Sequence, residues 1–274
     1  MKITYYGTAA GEGWPGVFCR CDLCREALRR GGKNIRTRSQ ALVNDDLLLD
    51  LPPENNLHSL YYGLDLTAVE TLLFTHSHSD HCYPEDLELL REPYSHTRRG
   101  LLEVYGNAAV EQKLLRCGVS LGSEEARFRF HRLAANDTVN VRGYQVLALR
   151  ATHTKTEECL FYRIEKDGKA LLYAHDTGAL TEENMEALAA CGGKLNLVSL
   201  DCTQQKYRDG TYHMGFYDDV DQKERLIKAG LADDHTVWVV NHFSHNGGWL
   251  HEELSAEAEK YGFLASYDGM SLTF

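Results

Sequence analysis

The sequence predicts a layered α/β protein. Short apolar runs of β type alternate with helix-period segments along the chain, and four of those runs end on a residue able to bind a metal. No low-complexity stretch, linker or long charge run divides the 274 residues, and five prolines leave few boundaries. Residues 1–274 are therefore read as a single domain.

The N-terminal Met1-Lys-Ile-Thr-Tyr-Tyr-Gly7 reads as a first strand over 2–6 and lacks the apolar core of a signal peptide. Further strands are expected at 41–50, 71–75, 101–105, 144–150, 159–165, 169–174, 195–200, 236–241 and 269–273. Helices are expected at 84–91, 108–116, 181–190, 217–229 and 250–261. Thr181 and Asp218 are suitable N-caps, and acidic first turns suit the helix dipole.

The formal net charge of -11 disfavours a large nucleic-acid footprint, because an acidic surface repels a polyphosphate backbone. Bound divalent ions would still make a pocket locally positive, so a small anionic substrate remains acceptable. No run approaches the roughly 18 apolar residues of a membrane span, and a cytoplasmic protein, with a homodimer admitted as its assembly, is expected. Eight cysteines without an export signal do not suggest a disulfide framework. Cys117, Cys159 and Cys191 read as small buried hydrophobes.

The strand endings carry the chemistry. Leu-Leu-Phe-Thr runs into His76, Val-Leu-Ala-Leu-Arg-Ala-Thr into His153, Leu-Leu-Tyr-Ala-His into Asp176 and Trp-Val-Val-Asn into His242. Sites of layered α/β proteins gather outside the carboxyl ends of strands, so four such endings point to one shared polynuclear site. In His76-Ser-His78-Ser-Asp80-His81, residues two apart can point the same way. His76 and His78 can chelate one ion while Asp80 and His81 face a second. Imidazole and carboxylate suit zinc, and also manganese or iron. His175 should point to the opposite strand face and is read as structural.

His-x-His-x-Asp-His after an apolar strand resembles the signature of the metallo-β-lactamase superfamily, and His153, Asp176 and His242 match its later ligands in order and type. The resemblance implies a four-layer αββα sandwich with two catalytic divalent ions. One would be held by His76, His78 and His153, the other by Asp80, His81 and His242, with Asp176 bridging. True β-lactamases of that family put a Cys in the second site; Cys82 follows His81 but is no obvious ligand. The Asp-bridged form resembles the family's phosphodiesterases and thioesterases.

Cys19-Arg-Cys21-Asp-Leu-Cys24 places three thiols within six residues. A redox Cys-x-x-Cys pair would leave Cys19 unexplained, whereas a structural zinc needs a fourth ligand, which His245 can supply. This loop and His213-Met214-Gly215 resemble the phosphoribosyl cyclic phosphate phosphodiesterase branch of the superfamily, as do Asp176-Thr177-Gly178 and Tyr267-Asp268-Gly269. That resemblance implies that His213 sits over the metals and assists the leaving group. Leu51-Pro52-Pro53-Glu54 departs from the branch's Gly-Pro-Asp-like turn, in a loop expected to border the pocket. Asp50 reads either as a partner of a ligand histidine or as a plain strand-end acid; Arg36 and Arg38 read as solvated surface rather than phosphate contacts.

The expected reaction is hydrolysis of a small phosphodiester, a cyclic ribose phosphate among the candidates, by a metal-bridged hydroxide. His213 would be the general acid, and Asp80, itself in the ligand set, the other candidate catalytic residue. Thioester or lactone hydrolysis on the same centre is the alternative. A transfer-RNA-processing endonuclease ranks behind it, for want of a basic arm.

Overall fold

The computed structural model describes residues 1–96, 100–117 and 127–274. The chain builds two seven-stranded sheets. The first contains β1 (Lys2–Gly7), β2 (Gln40–Val43), β3 (Leu47–Leu49), β4 (Thr71–Leu73), β5 (Leu102–Gly106) and β6 (Phe128–Arg132) in sequence order. The second contains β7 (Thr138–Val141), β8 (Tyr144–Arg150), β9 (Leu160–Lys166), β10 (Lys169–Ala174), β11 (Leu197–Asp201), β12 (Val237–Asn241) and β13 (Leu264–Ala265). The last strand, β14 (Met270–Thr273), returns to the first sheet and pairs antiparallel with β1. Each sheet begins as an antiparallel meander and continues as parallel strands, from β3 in the first and from β10 in the second. Among the described residues six α-helices accompany them: α1 (Asp22–Arg30), α2 (Asn55–Tyr62), α3 (Ala108–Arg116), α4 (Glu182–Ala190), α5 (Phe216–Lys228) and α6 (His251–Lys260).

Alternation along the strands sorts side chains into three apolar layers. Between the sheets, Tyr5, Val43, Leu49 and Leu73 meet Val146, Tyr162, Tyr173 and Val239. On the outer face of the second sheet, Leu147, Leu149, Leu172 and Ala174 cluster with Ala27 of α1, Leu188 of α4, Leu226 of α5 and Leu254 of α6. On the outer face of the first, Leu42, Leu48, Leu72 and Val104 cluster with Val110 and Leu114 of α3. Three cores separating four layers make the αββα sandwich expected from the sequence.

Several elements differ from expectation. The strand expected over 41–50 is a hairpin, β2 to β3, turned at Asn44, whose left-handed φ of 50° an asparagine tolerates. Residues Pro84–Leu90 form a 3-10 helix, not an α-helix. Strands β6, β7 and β13 and helices α1 and α2 were not expected. Thr181 caps α4, accepting from Asn184 N–H at 3.2 Å. Asp218 is not the N-cap of α5. That position is Gly215, where a Cβ would lie 1.7 Å from the Tyr207 carbonyl oxygen; Asp218 lies inside the first turn and accepts from Gly215 N–H at 2.9 Å. Cys159 is buried as expected, but Cys117 and Cys191 are exposed.

Candidate metal centre and hydrolytic pocket

The functional side chains sit where strands stop. His76 follows β4, His153 follows β8, Asp176 follows β10 and His242 directly follows β12. Asp50, after β3, and Asp201, the last residue of β11, end strands at the same edge. Asp50, Asp176 and His242 adopt left-handed φ values of 63°, 54° and 64°. Non-glycine residues hold such angles only where their surroundings over-determine them, as active sites do.

The seven residues expected as ligands come together. Ligand-type atoms of His76, His78, His153 and Asp176 lie within 4.8 Å of one another, and so do those of Asp80, His81, Asp176 and His242. Asp176 belongs to both groups. Its Oδ2 is 3.2 Å from Nε2 of His76, 3.2 Å from Nε2 of His81 and 3.9 Å from Nε2 of His242. Nε2 of His153 is 3.2 Å from Nδ1 of His78.

Three of the rings, those of His76, His81 and His242, are aimed by a partner on the far side. Nδ1 of His81 lies 2.7 Å from Oδ2 of Asp50, whose Oδ1 accepts from the Thr75 backbone N–H at 2.8 Å. An acceptor carboxylate there places the proton on Nδ1 and leaves the Nε2 lone pair facing the cluster. Asp50 is thus the histidine partner expected of it. Nδ1 of His76 is 3.0 Å from the Thr75 hydroxyl, and Nδ1 of His242 is 2.8 Å from the Thr203 hydroxyl. Nε2 of His76, His81 and His242 and Oδ1 of Asp176 are buried without a hydrogen-bond partner. Stranded donors and acceptors of this kind are costly unless something fills the space between them. Two cations, one per group, satisfy all four atoms, so the residues fit a binuclear metal centre.

Two supporting acids went unrecognised in the sequence. Asp201 accepts from the backbone N–H groups of Asp176 at 2.9 Å, Thr203 at 3.1 Å and Met214 at 3.1 Å. It therefore ties the strand ends of β10 and β11 to the His213 loop. Glu157 accepts from Ser77 N–H at 3.0 Å and from the Asn107 amide at 2.8 Å, which pins the loop between His76 and His78. His175 points away as expected, with Nε2 2.7 Å from the Ser199 hydroxyl.

His213 stands beside both groups. Its Nδ1 is 3.3 Å from Oδ1 of Asp176 and 3.4 Å from Oδ2 of Asp201. Burial would lower its pKa, but the carboxylates of Asp201 and Asp176 outweigh burial and push it up to about 9. An open pocket of about 340 Å³ lies over this assembly. Glu12, Asp80 and Asp176 line it with His78, His153, His213 and His242, and its described lining contains no lysine or arginine.

Arg36 is neither solvated nor at the pocket: it is 3% exposed, stacks on Phe243 and donates to the Thr8 hydroxyl and the Ser266 carbonyl. Arg38 is held by Glu54 and donates to the Gly11 carbonyl at 2.8 Å. The loop at residues 51–54, expected to border the pocket, contributes none of its described lining; Glu54 is engaged by Arg38 instead.

The cysteine loop also assembles. Ligand-type atoms of Cys19, Cys21, Cys24 and His245 lie within 4.8 Å of one another, and Nδ1 of His245 is 3.6 Å from the Cys21 sulfur. Backbone N–H groups of Gly16 and Cys24 point at Cys24 and Cys21 sulfurs, both at 3.4 Å. For Cys21, burial raises the pKa, but these hydrogen bonds and its neighbours outweigh it and bring it down to about 7. Cys24 is pushed up to about 12, first by burial and then by its sulfur neighbours. Three thiols this close resist ionising together unless a cation sits among them.

No helix among the described residues is long and apolar enough to cross a membrane. No curated protein matches the sequence. Among solved structures, the chain is similar to a diphosphatase from the PhnP family at 21% identity, with a TM-score of 0.76 over 100% of this chain and 97% of that one. It is similar to zinc-bound PqqB from Methylobacterium extorquens at 19% identity, with a TM-score of 0.68 over 100% of both chains. Similarity to the short form of human tRNase Z is 14% identity, with a TM-score of 0.65 over 100% of this chain and 99% of that one. At these identities the likeness is one of fold. The family model of the beta-lactamase superfamily domain matches residues 52–230, a span that holds the His76–His81 run, His153, Asp176 and His213. With the sandwich and the strand-end cluster in place, this match over more than half of the sequence identifies the chain as a member of the beta-lactamase superfamily, whose metallo-β-lactamase fold implies divalent metal ions.

Proposed function

We propose that this protein is a binuclear metal-dependent phosphodiesterase acting on a small substrate. The observation that supports this reading most is the placement of His213, whose Nδ1 lies 3.3 Å from Asp176 and 3.4 Å from Asp201 and which neither of the two four-residue ligand groups includes. Bound at these residues, divalent ions would supply Lewis acidity and make water nucleophilic near neutral pH. His76, His78 and His153 would hold one, Asp80, His81 and His242 the other, and Asp176 both.

The protein's own groups do the remainder. Three carboxylates and no lysine or arginine line the described pocket, so a substrate phosphate depends on the ions and on His213 for its counter-charge. Asp201, which is outside the ligand set, lies 3.4 Å from Nδ1 of His213 and favours a proton on that ring. A sugar alkoxide is a poor leaving group, and a donor so placed typically contributes about a hundred- to ten-thousand-fold. A thioester releases a thiolate and needs no such donor. The same lack of basic lining argues against a large RNA substrate. The diphosphatase among the structural relatives is, by its name, also an enzyme of phosphorus–oxygen bonds. We assign Cys19, Cys21, Cys24 and His245 to a structural zinc that fixes the N-terminal loop, because three thiols and an imidazole form a complete tetrahedral set.

The test compares His213→Ala with the parent on an alkyl phosphodiester and a nitrophenyl phosphodiester. Nitrophenolate leaves with little proton assistance, so the variant should lose about a hundredfold or more on the alkyl substrate and far less on the nitrophenyl one. Metal content should not change. Equal slowing would make His213 a positioning group, and faster turnover of a thioester than of either diester would remove the phosphodiesterase reading.

A further inference from the structure

Beyond the metal pocket lies a second cavity of about 410 Å³, lined by Gly11, Glu12, Gly16, Val17, Phe18, Cys19, Arg38 and His245. The two cavities share Gly11 and Glu12, so a substrate held at the metals can continue across that lip. We propose that the second cavity is a nucleoside subsite, in which Phe18 stacks on an aromatic base and Glu12 accepts from sugar hydroxyls. The inference rests on the phosphodiesterase reading and specifies the group carried by the phosphate.

Three observations carry it. Val17 and Phe18 are fully or largely exposed, and the loop that presents them is tied down at several points. Val17 N–H donates to the Glu12 carbonyl at 3.2 Å, Cys19 N–H to the Gly16 carbonyl at 2.9 Å, and Gly16 N–H to the Cys24 sulfur at 3.4 Å. Because the backbone is fixed, a base that stacks on the exposed ring need immobilise only that one side chain. The second observation is charge. Arg38, the one lysine or arginine in the described lining, is already paired with Glu54, whereas its guanidinium plane and the Phe18 ring suit a flat uncharged group. The third is Glu12, placed at the join between the cavities and held there by the Ser244 hydroxyl. A carboxylate at that point repels phosphate oxygens but accepts hydroxyl protons, as a ribose requires.

Binding to the metal-loaded protein tests this apart from turnover. Adenosine 5′-monophosphate and ribose 5-phosphate differ in carrying adenine or a hydroxyl at the anomeric carbon, and both are titrated by calorimetry into the parent, Phe18→Ala and Phe18→Trp. The parent should prefer the nucleotide by about tenfold or more, the usual scale of base–aromatic stacking. Phe18→Ala should bring the two within about twofold without weakening ribose 5-phosphate, and Phe18→Trp should keep the preference. Equal affinities in the parent, no binding of either ligand, or a preference unchanged in Phe18→Ala would overturn the subsite. A Phe18-dependent preference without hydrolysis of any nucleoside phosphodiester would support the subsite and reject the reaction instead. Hydrolysis of methyl nitrophenyl phosphate with no base preference in binding would do the reverse.

Discussion

The two clusters that could hold metal are built by opposite routes. The His/Asp cluster draws its members from strand ends between His76 and His242, buries most of them, and backs its rings with Asp50, Thr75 or Thr203. The cysteine cluster takes three of its four members from six consecutive residues, leaves Cys21 exposed, and is held mainly by backbone N–H groups pointing at sulfur. In the first, two packed sheets pre-position the groups, and metal binding need not order the chain. In the second, the loop is held by backbone hydrogen bonds and the buried Cys24 rather than by two packed sheets, so a cation would add to its order. His245 and His242, three residues apart, join the two clusters through one short segment after β12.

This contrast predicts different failures. The largest effect belongs to Asp176→Ala, which removes the carboxylate common to both groups. Two ions per chain should be lost and diester turnover should fall by at least about a thousandfold, read by elemental analysis and steady-state rates. The metal-free melting temperature should change little, because the sheets set the geometry. Cys21→Ser should do the opposite. Its melting temperature should fall by about 5 °C or more as the loop loosens, while turnover of a small nitrophenyl diester well below that temperature stays within about threefold. Equal losses of melting temperature in the two variants would break the distinction.

Legibility in the sequence followed locality. The His76–His81 run was readable because four ligand types fall within six residues of one loop. His153, Asp176 and His242 were readable because each closes an apolar strand. Asp201 closes a strand in the same way, so a signal existed, but a lone acid names no partner; its ties to Asp176, Thr203 and Met214 are tertiary. Glu157 had no signal, since its value lies in reaching Ser77, 80 residues back. Arg36 read as surface from its charge, yet Thr8, Phe243 and Ser266 close over it from both ends of the chain. The hairpin at Asn44 was hidden because the apolar runs 41–43 and 47–49 on either side of it read as one strand. Helix α1 was obscured because Cys21, read only as a ligand, is also its N-cap, accepting from Cys24 N–H.

On the proposed reading, one binuclear centre performs diester hydrolysis while a third ion serves only structure. Metal content and turnover of methyl nitrophenyl phosphate, read on the same stripped and stepwise-reconstituted sample, test it most directly. The account predicts about three transition-metal ions per chain at saturation, no hydrolysis in stripped protein, and full activity only once both His/Asp groups are filled. Full hydrolysis in metal-free protein, or a rate that saturates with those groups holding a single ion, would contradict it.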